Sequence, residues 1–232
     1  MAAIYRSNSR GKSRTEWLTS FHSFNFNTYY NPSRTHFGPL VVVNDDLILS
    51  KSGFPMHRHE DMEIITIMIE GSLTHKDNMG NETMISAGEV QVMSAGTGVV
   101  HSECNAGDVL VHLYQIWIEP DTQGLTPRYE QRNFVFETNK LVCVASGRVS
   151  KTEGNQKGGL LIHQNAQVLL GNFTNFDLEY IILPGRGAYI MVISGQAILG
   201  DDVLKEGDVC EVMSSTVLSM KNAKILVIDV KI

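Results

Sequence analysis

Gly53-Phe54-Pro55-Met56-His57-Arg58-His59-Glu60-Asp61-Met62-Glu63 opens a stretch that closes on His101-Ser102-Glu103-Cys104-Asn105. In an extended strand alternate side chains share a face, so His57 and His59 project together, and so do His101 and Glu103. Glu63, four residues beyond His59, keeps the same parity if the strand stays regular. Three imidazoles and a carboxylate from two neighbouring strands suit one divalent first-row metal ion. Spacing leaves the fourth ligand open between Glu63 and Glu103. Whichever is not bound is a candidate base or ligand-orienting group. Glu60 and Asp61 sit in the adjoining loop and read as solvated.

The surrounding sequence reads as strands. Met62 to Glu70 is β-branched and stops at Gly71. Ser72 to Lys76 and Glu82 to Ile85 flank the loop Asp77-Asn78-Met79-Gly80-Asn81, a hairpin signal. Glu89 to Met93 and Leu110 to Ile118 follow, separated by the Gly-rich turn at 94–98. Upstream, 21–26 alternates aromatic and polar residues like an edge strand, and 40–49 reads as two short strands around a polar turn. Residues 119–140 read as a connector. Strands recur every eight to twelve residues or so without a helical period, the pattern of an all-β sandwich or barrel.

Composition bounds the rest. The chain has 232 residues, 43% hydrophobic and 19% charged, enough for one large or two small folded domains. A formal net charge of −6 disfavours a nucleic-acid surface. No apolar run is long enough for a transmembrane helix, and the first residues lack the apolar core of a signal peptide. Cys104, Cys143 and Cys210 are odd in number and widely spaced, which points away from a disulfide framework and toward a reducing, cytoplasmic setting. Cys104 reads as a small buried hydrophobe. His22, His75, His112 and His163 read as packed or surface residues outside the ligand pairs.

The second half echoes the first. Ile69-Glu70-Gly71 returns as Ile193-Ser194-Gly195, and Ala87-Gly88-Glu89-Val90 returns as Glu206-Gly207-Asp208-Val209. His57, His59 and Glu63 lie 14, 12 and 8 residues before Gly71; the same offsets before Gly195 fall on Ile181, Leu183 and Gly187. His101 lies seven past Ser94, and seven past Ser214 is Lys221. Two similar β units are therefore expected, 1–130 with the metal and 131–232 without it.

Gly53-X3-His57-X-His59-X3-Glu63-X7-Gly71 and Gly88-X5-Ser94-X-Gly96-X4-His101-X3-Asn105 resemble the two cupin motifs, with Ser94 where the second usually has Pro. Trp17-Leu18, Asn44-Asp45-Asp46, Met93 to Gly98, His101-Ser102-Glu103, Leu113 to Trp117 and Pro127 to Gln131 narrow the resemblance to the pirin family of bicupins, densely over 1–135 and more weakly beyond. The resemblance implies two antiparallel jelly-roll barrels in one chain, and metal ligands His57, His59, His101 and Glu103. Glu63 then stands beside the ion. Iron(II) is the implied metal, with Mn, Co, Ni, Cu and Zn as alternatives.

Two activities come with that family. Some bacterial members are similar to quercetin 2,3-dioxygenases, which open a flavonol with O2. The animal member is a redox-sensitive transcriptional co-regulator. The expectation taken forward is a metal-dependent dioxygenase. A flavonol-like aromatic substrate binds the metal through its 3-hydroxyl, and Glu63 or Glu103 takes the proton. The alternative is a non-enzymatic redox sensor with a transcriptional or metabolic protein partner. A monomer or weak dimer, no direct nucleic-acid contact and no membrane association complete the expectation.

Overall fold

The computed structural model describes residues 2–147 and 158–232, and among them there is no α-helix, only strands, turns and one short 3-10 segment. No helix among these residues is long and apolar enough to cross a membrane. The chain divides into two compact units. One comprises Gly11–Phe134 with Leu160–Gln164; the other comprises Met1–Arg10, Val135–Gly159 and Asn165–Ile232.

The first unit is built from two antiparallel sheets. A seven-stranded sheet runs in the order Arg128–Asn133, Glu89–Ser94, Glu63–Glu70, Val111–Ile118, Leu40–Ile48, Leu18–His22, Gly11–Arg14. A four-stranded sheet runs Ser52–His59, Val99–Asn105, Ser72–Asp77, Glu82–Ser86. Ile48, Met68, Val111 and Leu113 of the larger sheet pack with Leu73 and Ile85 of the smaller, so the sheets face each other across an apolar layer. Each such buried aliphatic side chain contributes about 1.5–3 kcal/mol over exposure. Ile64, Met93 and Val99 form a second apolar cluster with Trp117 and Tyr129 against it.

A polar row lies between these clusters. Cross-strand register aligns His22, Asn44, Gln115, Thr66, Gln91 and Gln131 across six strands. The adjacent row is Val42, Trp117, Ile64, Met93 and Tyr129. Gln91 and Gln115 reach across to Glu103 of the facing sheet, so this row points into the unit.

In the other unit, Ala2–Tyr5, Val209–Val212, Arg186–Leu199, Thr216–Lys231, Ala166–Phe173 and Lys140–Ser146 are neighbours in that order. Phe176–Tyr180 adds to Thr216–Lys231, and Asp202–Lys205 to Arg186–Leu199. Its core includes Leu169, Phe173, Ile190, Val192, Leu218, Ile225 and Val227. The repeat is visible in the backbone: Gly71 and Gly195 have φ of 77° and 74°, and Gly88 and Gly207 have 89° and 76°, all in the left-handed region that favours glycine.

Several local expectations change. Residues 40–49 hold one strand, Leu40–Ile48, not two around a turn. Its polar centre stays in the ladder because side-chain partners satisfy it: Asn44 meets His22, and Asp45 meets His112. The aromatic stretch at 21–26 is extended only as far as His22. The supposed connector contains the strand Arg128–Asn133, paired with Glu89–Ser94. Cys104 is exposed, because alternation along Val99–Asn105 turns His101, Glu103 and Asn105 inward and Cys104 out.

Candidate metal centre

Val99–Asn105 is the central strand of the site. On one side it pairs with Ser52–His59, placing His57 opposite His101 and His59 opposite Val99. A bulge between His101 and Glu103 adjusts the register. The ring centroids of His57, His59 and His101 are 4.4–5.0 Å apart, and their nearest ligand nitrogens lie within 4.8 Å of one another. His57 and His59 are half-buried and His101 is buried.

The tautomers are partly set by neighbours. His57 Nδ1 donates to the Pro55 carbonyl at 2.8 Å, which leaves Nε2 with its lone pair. Both nitrogens of buried His101 lack a hydrogen-bond partner. A buried imidazole left so is costly unless something else occupies it. Burial, then the nearby His57, lowers the His59 pKa to about 4. Burial, then His57 and His59, lowers that of His101 to about 3. These rings are neutral at pH 7, the form that binds metal.

Glu103 is wholly buried within the same unit. Its Oε2 accepts from Gln115 Nε2 at 3.0 Å and its Oε1 from Gln91 Nε2 at 3.4 Å. Gln115 Oε1 in turn accepts from Trp117 Nε1 at 3.2 Å, and the Trp117 ring stands edge-on to His59 at 4.9 Å. Burial raises the Glu103 pKa, against His75, His57 and the two glutamine donors. Asp46 is raised to about 7, first by burial, with Asp45 and Glu103 adding and Ser20 opposing. The three imidazoles form one convergent group of donors. Glu103 groups instead with His101 and His75, its ligand atom not falling in the mutual 4.8 Å set of His57, His59 and His101. Imidazole and carboxylate donors of this kind suit a divalent metal.

Glu63 is placed elsewhere. The strand ends at His59, Asp61 adopts a φ of 45°, and Glu63 begins the next strand. The regular run on which parity with His59 depended is therefore interrupted. Alternation puts Ile64 and Thr66 on the face toward Glu103, and Glu63 on the opposite face. There Glu63 is buried, accepting from Ser94 Oγ at 2.8 Å and lying 3.2 Å from His163 Nδ1. Glu60 is exposed and paired with Arg58.

Sequence reasoning missed two histidines. His163 comes from Leu160–Gln164, a hundred residues from its partner Glu63, and no local pattern announces it. His75 is fully buried, with Nε2 3.0 Å from Asp77 Oδ2 and its ring stacked on Tyr129 at 4.4 Å. It shares parity with Asp77 in a strand that pairs with Val99–Asn105, and that was its signal. Asp77 is held by its own turn. Burial alone would raise its pKa, but hydrogen bonds from His75, Asn81 and Met79 hold it below the ordinary value.

Both halves of the chain are similar to known proteins. The model of the Pirin family matches residues 5–118, and that of the quercetinase C-terminal cupin domain matches 149–230. The chain is 40% identical over 198 residues to the quercetin 2,3-dioxygenase of Escherichia coli strain K12, covering 84% of this chain and 82% of that protein. The crystal structure of the bacterial pirin YhhW from Escherichia coli in complex with nickel(II) superposes with a TM-score of 0.91 at 34% identity, covering 100% of this chain and 99% of that one. A quercetin 2,3-dioxygenase structure from Acinetobacter baumannii shares the fold at 18% identity, with a TM-score of 0.79 over 99% of this chain and 85% of that one.

Proposed function

Because the chain belongs to the pirin family, we propose that it is a metal-dependent dioxygenase of the quercetin 2,3-dioxygenase type. The observation that carries this reading is the set of three convergent imidazoles in which buried His101 has no partner for either nitrogen. His57, His59, His101 and Glu103 would hold one divalent ion, iron(II) being the leading choice. Each unit would correspond to one cupin barrel, the second without metal. When bound, the ion acts as a Lewis acid and lowers the pKa of a hydroxyl that coordinates it.

The chain's own groups account for the rest. Of the two carboxylates expected to take the substrate's proton, Glu103 groups with His101 and His75, while Glu63 is engaged with Ser94 and His163. We therefore assign proton acceptance to Glu103, held in place by Gln115 and Gln91, and a supporting role to Glu63. Phe54, beside His57, and Trp117, beside His59, offer apolar ring surface to a flat aromatic ligand. The half-exposure of His57 and His59 favours a centre that admits substrate. The test is elemental analysis of the native protein, then a quercetin assay under air with the metal found. Loss of the flavonol's visible absorbance is expected, and His101→Ala abolishes it. No turnover by the loaded wild-type protein refutes the proposal.

A further inference from the structure

We propose a second divalent-cation position on the other flank of the central strand, formed by His75, His101 and Glu103. The strand Val99–Asn105 is paired on both sides. His57 stands opposite His101 on one side; on the other, Ser72–Asp77 sets His75 directly opposite Glu103 and Asp77 opposite His101. Directly paired residues share a face with their Cβ atoms about 5 Å apart. Ligand atoms of His75, His101 and Glu103 accordingly lie within 4.8 Å of one another, and all three side chains are buried.

Two observations point to a cation rather than to packing. His75 is tethered at one nitrogen only: Nε2 donates to Asp77, and Nδ1, fully buried, has no partner. That is the arrangement in which a carboxylate orients a histidine and strengthens it as a ligand. His101 lacks partners at both nitrogens, so whichever carries the lone pair is uncommitted and can serve one cation at a time. Asp77 is itself fixed by Met79 N, Asn81 N and Asn81 Nδ2. The same turn is pinned to the central strand by Asn78 N to Val100 O at 3.0 Å and Val100 N to Asn78 Oδ1 at 3.1 Å. The turn therefore holds His75 at a fixed distance from Glu103. This position shares His101 and Glu103 with the centre proposed above and rests on that reading for its partner site. A cation in it is enclosed by three buried donors, so occupancy competes with the half-exposed set for His101 and Glu103.

The experiment is a zinc titration of metal-free protein, by equilibrium dialysis, on four full-length chains. Wild type is expected to bind zinc. His57→Ala/His59→Ala, which removes the half-exposed set, retains one zinc per chain. Adding His75→Ala to that pair weakens zinc at least tenfold. His101→Ala removes both positions. Zinc binding by wild type but not by His57→Ala/His59→Ala overturns the second position alone, as does equal binding with and without His75. Failure of wild type to bind zinc overturns the centre itself. If the multiple variants do not fold, His75→Ala in the wild-type background decides. Its cobalt(II) visible spectrum is expected to differ from wild type, and an identical spectrum overturns the proposal.

Discussion

Gln115→Leu isolates one hydrogen bond whose worth at the centre can be worked out in advance. Gln115 Nε2 donates at 3.0 Å to Glu103 Oε2, and both side chains are buried. Leucine has nearly the same volume, so little cavity forms. A hydrogen bond to a charged acceptor contributes about 1.5–3 kcal/mol. The other bond to Glu103, from Gln91, is longer at 3.4 Å and offsets little. Trp117 Nε1 also loses its acceptor, but equally with and without metal, so that loss cancels from affinity. In metal-free protein burial already raises the Glu103 pKa, and losing a donor to its carboxylate raises it further, which disfavours the charged form that binds an ion. At about 1.4 kcal/mol per decade, metal affinity falls roughly 10- to 100-fold. The assay is chelator competition at pH 7, with Gln91→Leu as the weaker comparison. Affinity within about twofold of wild type, or a larger effect from Gln91→Leu, refutes the reasoning that Glu103 is a ligand set by Gln115.

Gly96→Ala should destabilise strongly: φ is 45°, and an added Cβ would meet the Leu125 carbonyl oxygen at 2.0 Å. A loss above the ~1–2 kcal/mol of left-handed strain alone is expected in denaturant unfolding, and a smaller one means the 125 loop yields. Asp208 tests pH dependence. Burial raises its pKa, but hydrogen bonds from Lys205 N, Ser7 N and Arg6 more than offset this and hold it below 3.8. A depressed folded pKa gives stability present above the unfolded value and lost as pH falls through the folded one. Asp208→Asn should therefore cost stability at neutral pH, with the gap closing in acid; a gap that is constant with pH contradicts this. For the thiols, one of three should react with an aromatic disulfide in the folded protein and all three after denaturation. Cys104 is exposed, while burial raises the pKa of Cys143 and pushes that of Cys210 up to about 12.

Much of the site was legible because a strand's period is two and turns are punctuated by glycine. His57, His59 and His101 needed only parity and hairpin signals to be brought together, and Gly71 and Gly195 announced the repeat through the φ they share. Illegible features depended on contacts distant in sequence. Asn44-Asp45-Asp46 looked like a turn, because nothing local shows that His22, Ser20 and His112 await those groups inside the sheet. The parity that tied Glu63 to His59 held only for a regular strand, and the left-handed Asp61 interrupts it. His75 was set aside because its parity partner is the aspartate that orients it, and its relation to Glu103 exists only across a strand pair.

Neither compact unit is one continuous piece of chain. Residues 2–10 belong with the second unit, where Arg6 and Ser7 bond Asp208, and Leu160–Gln164 returns to the first to bring His163 to Glu63. This has a consequence for the order of events on the ribosome. Residues 2–10 have no docking partner until some two hundred more have been made, roughly 10–40 s at bacterial to eukaryotic elongation rates. The strands carrying the candidate metal ligands, complete by Asn105, must likewise wait for Leu160–Gln164 before their unit closes. During that interval the candidate ligands stand on an unfinished scaffold, so the proposed metal centre gains its complete surroundings only late in synthesis.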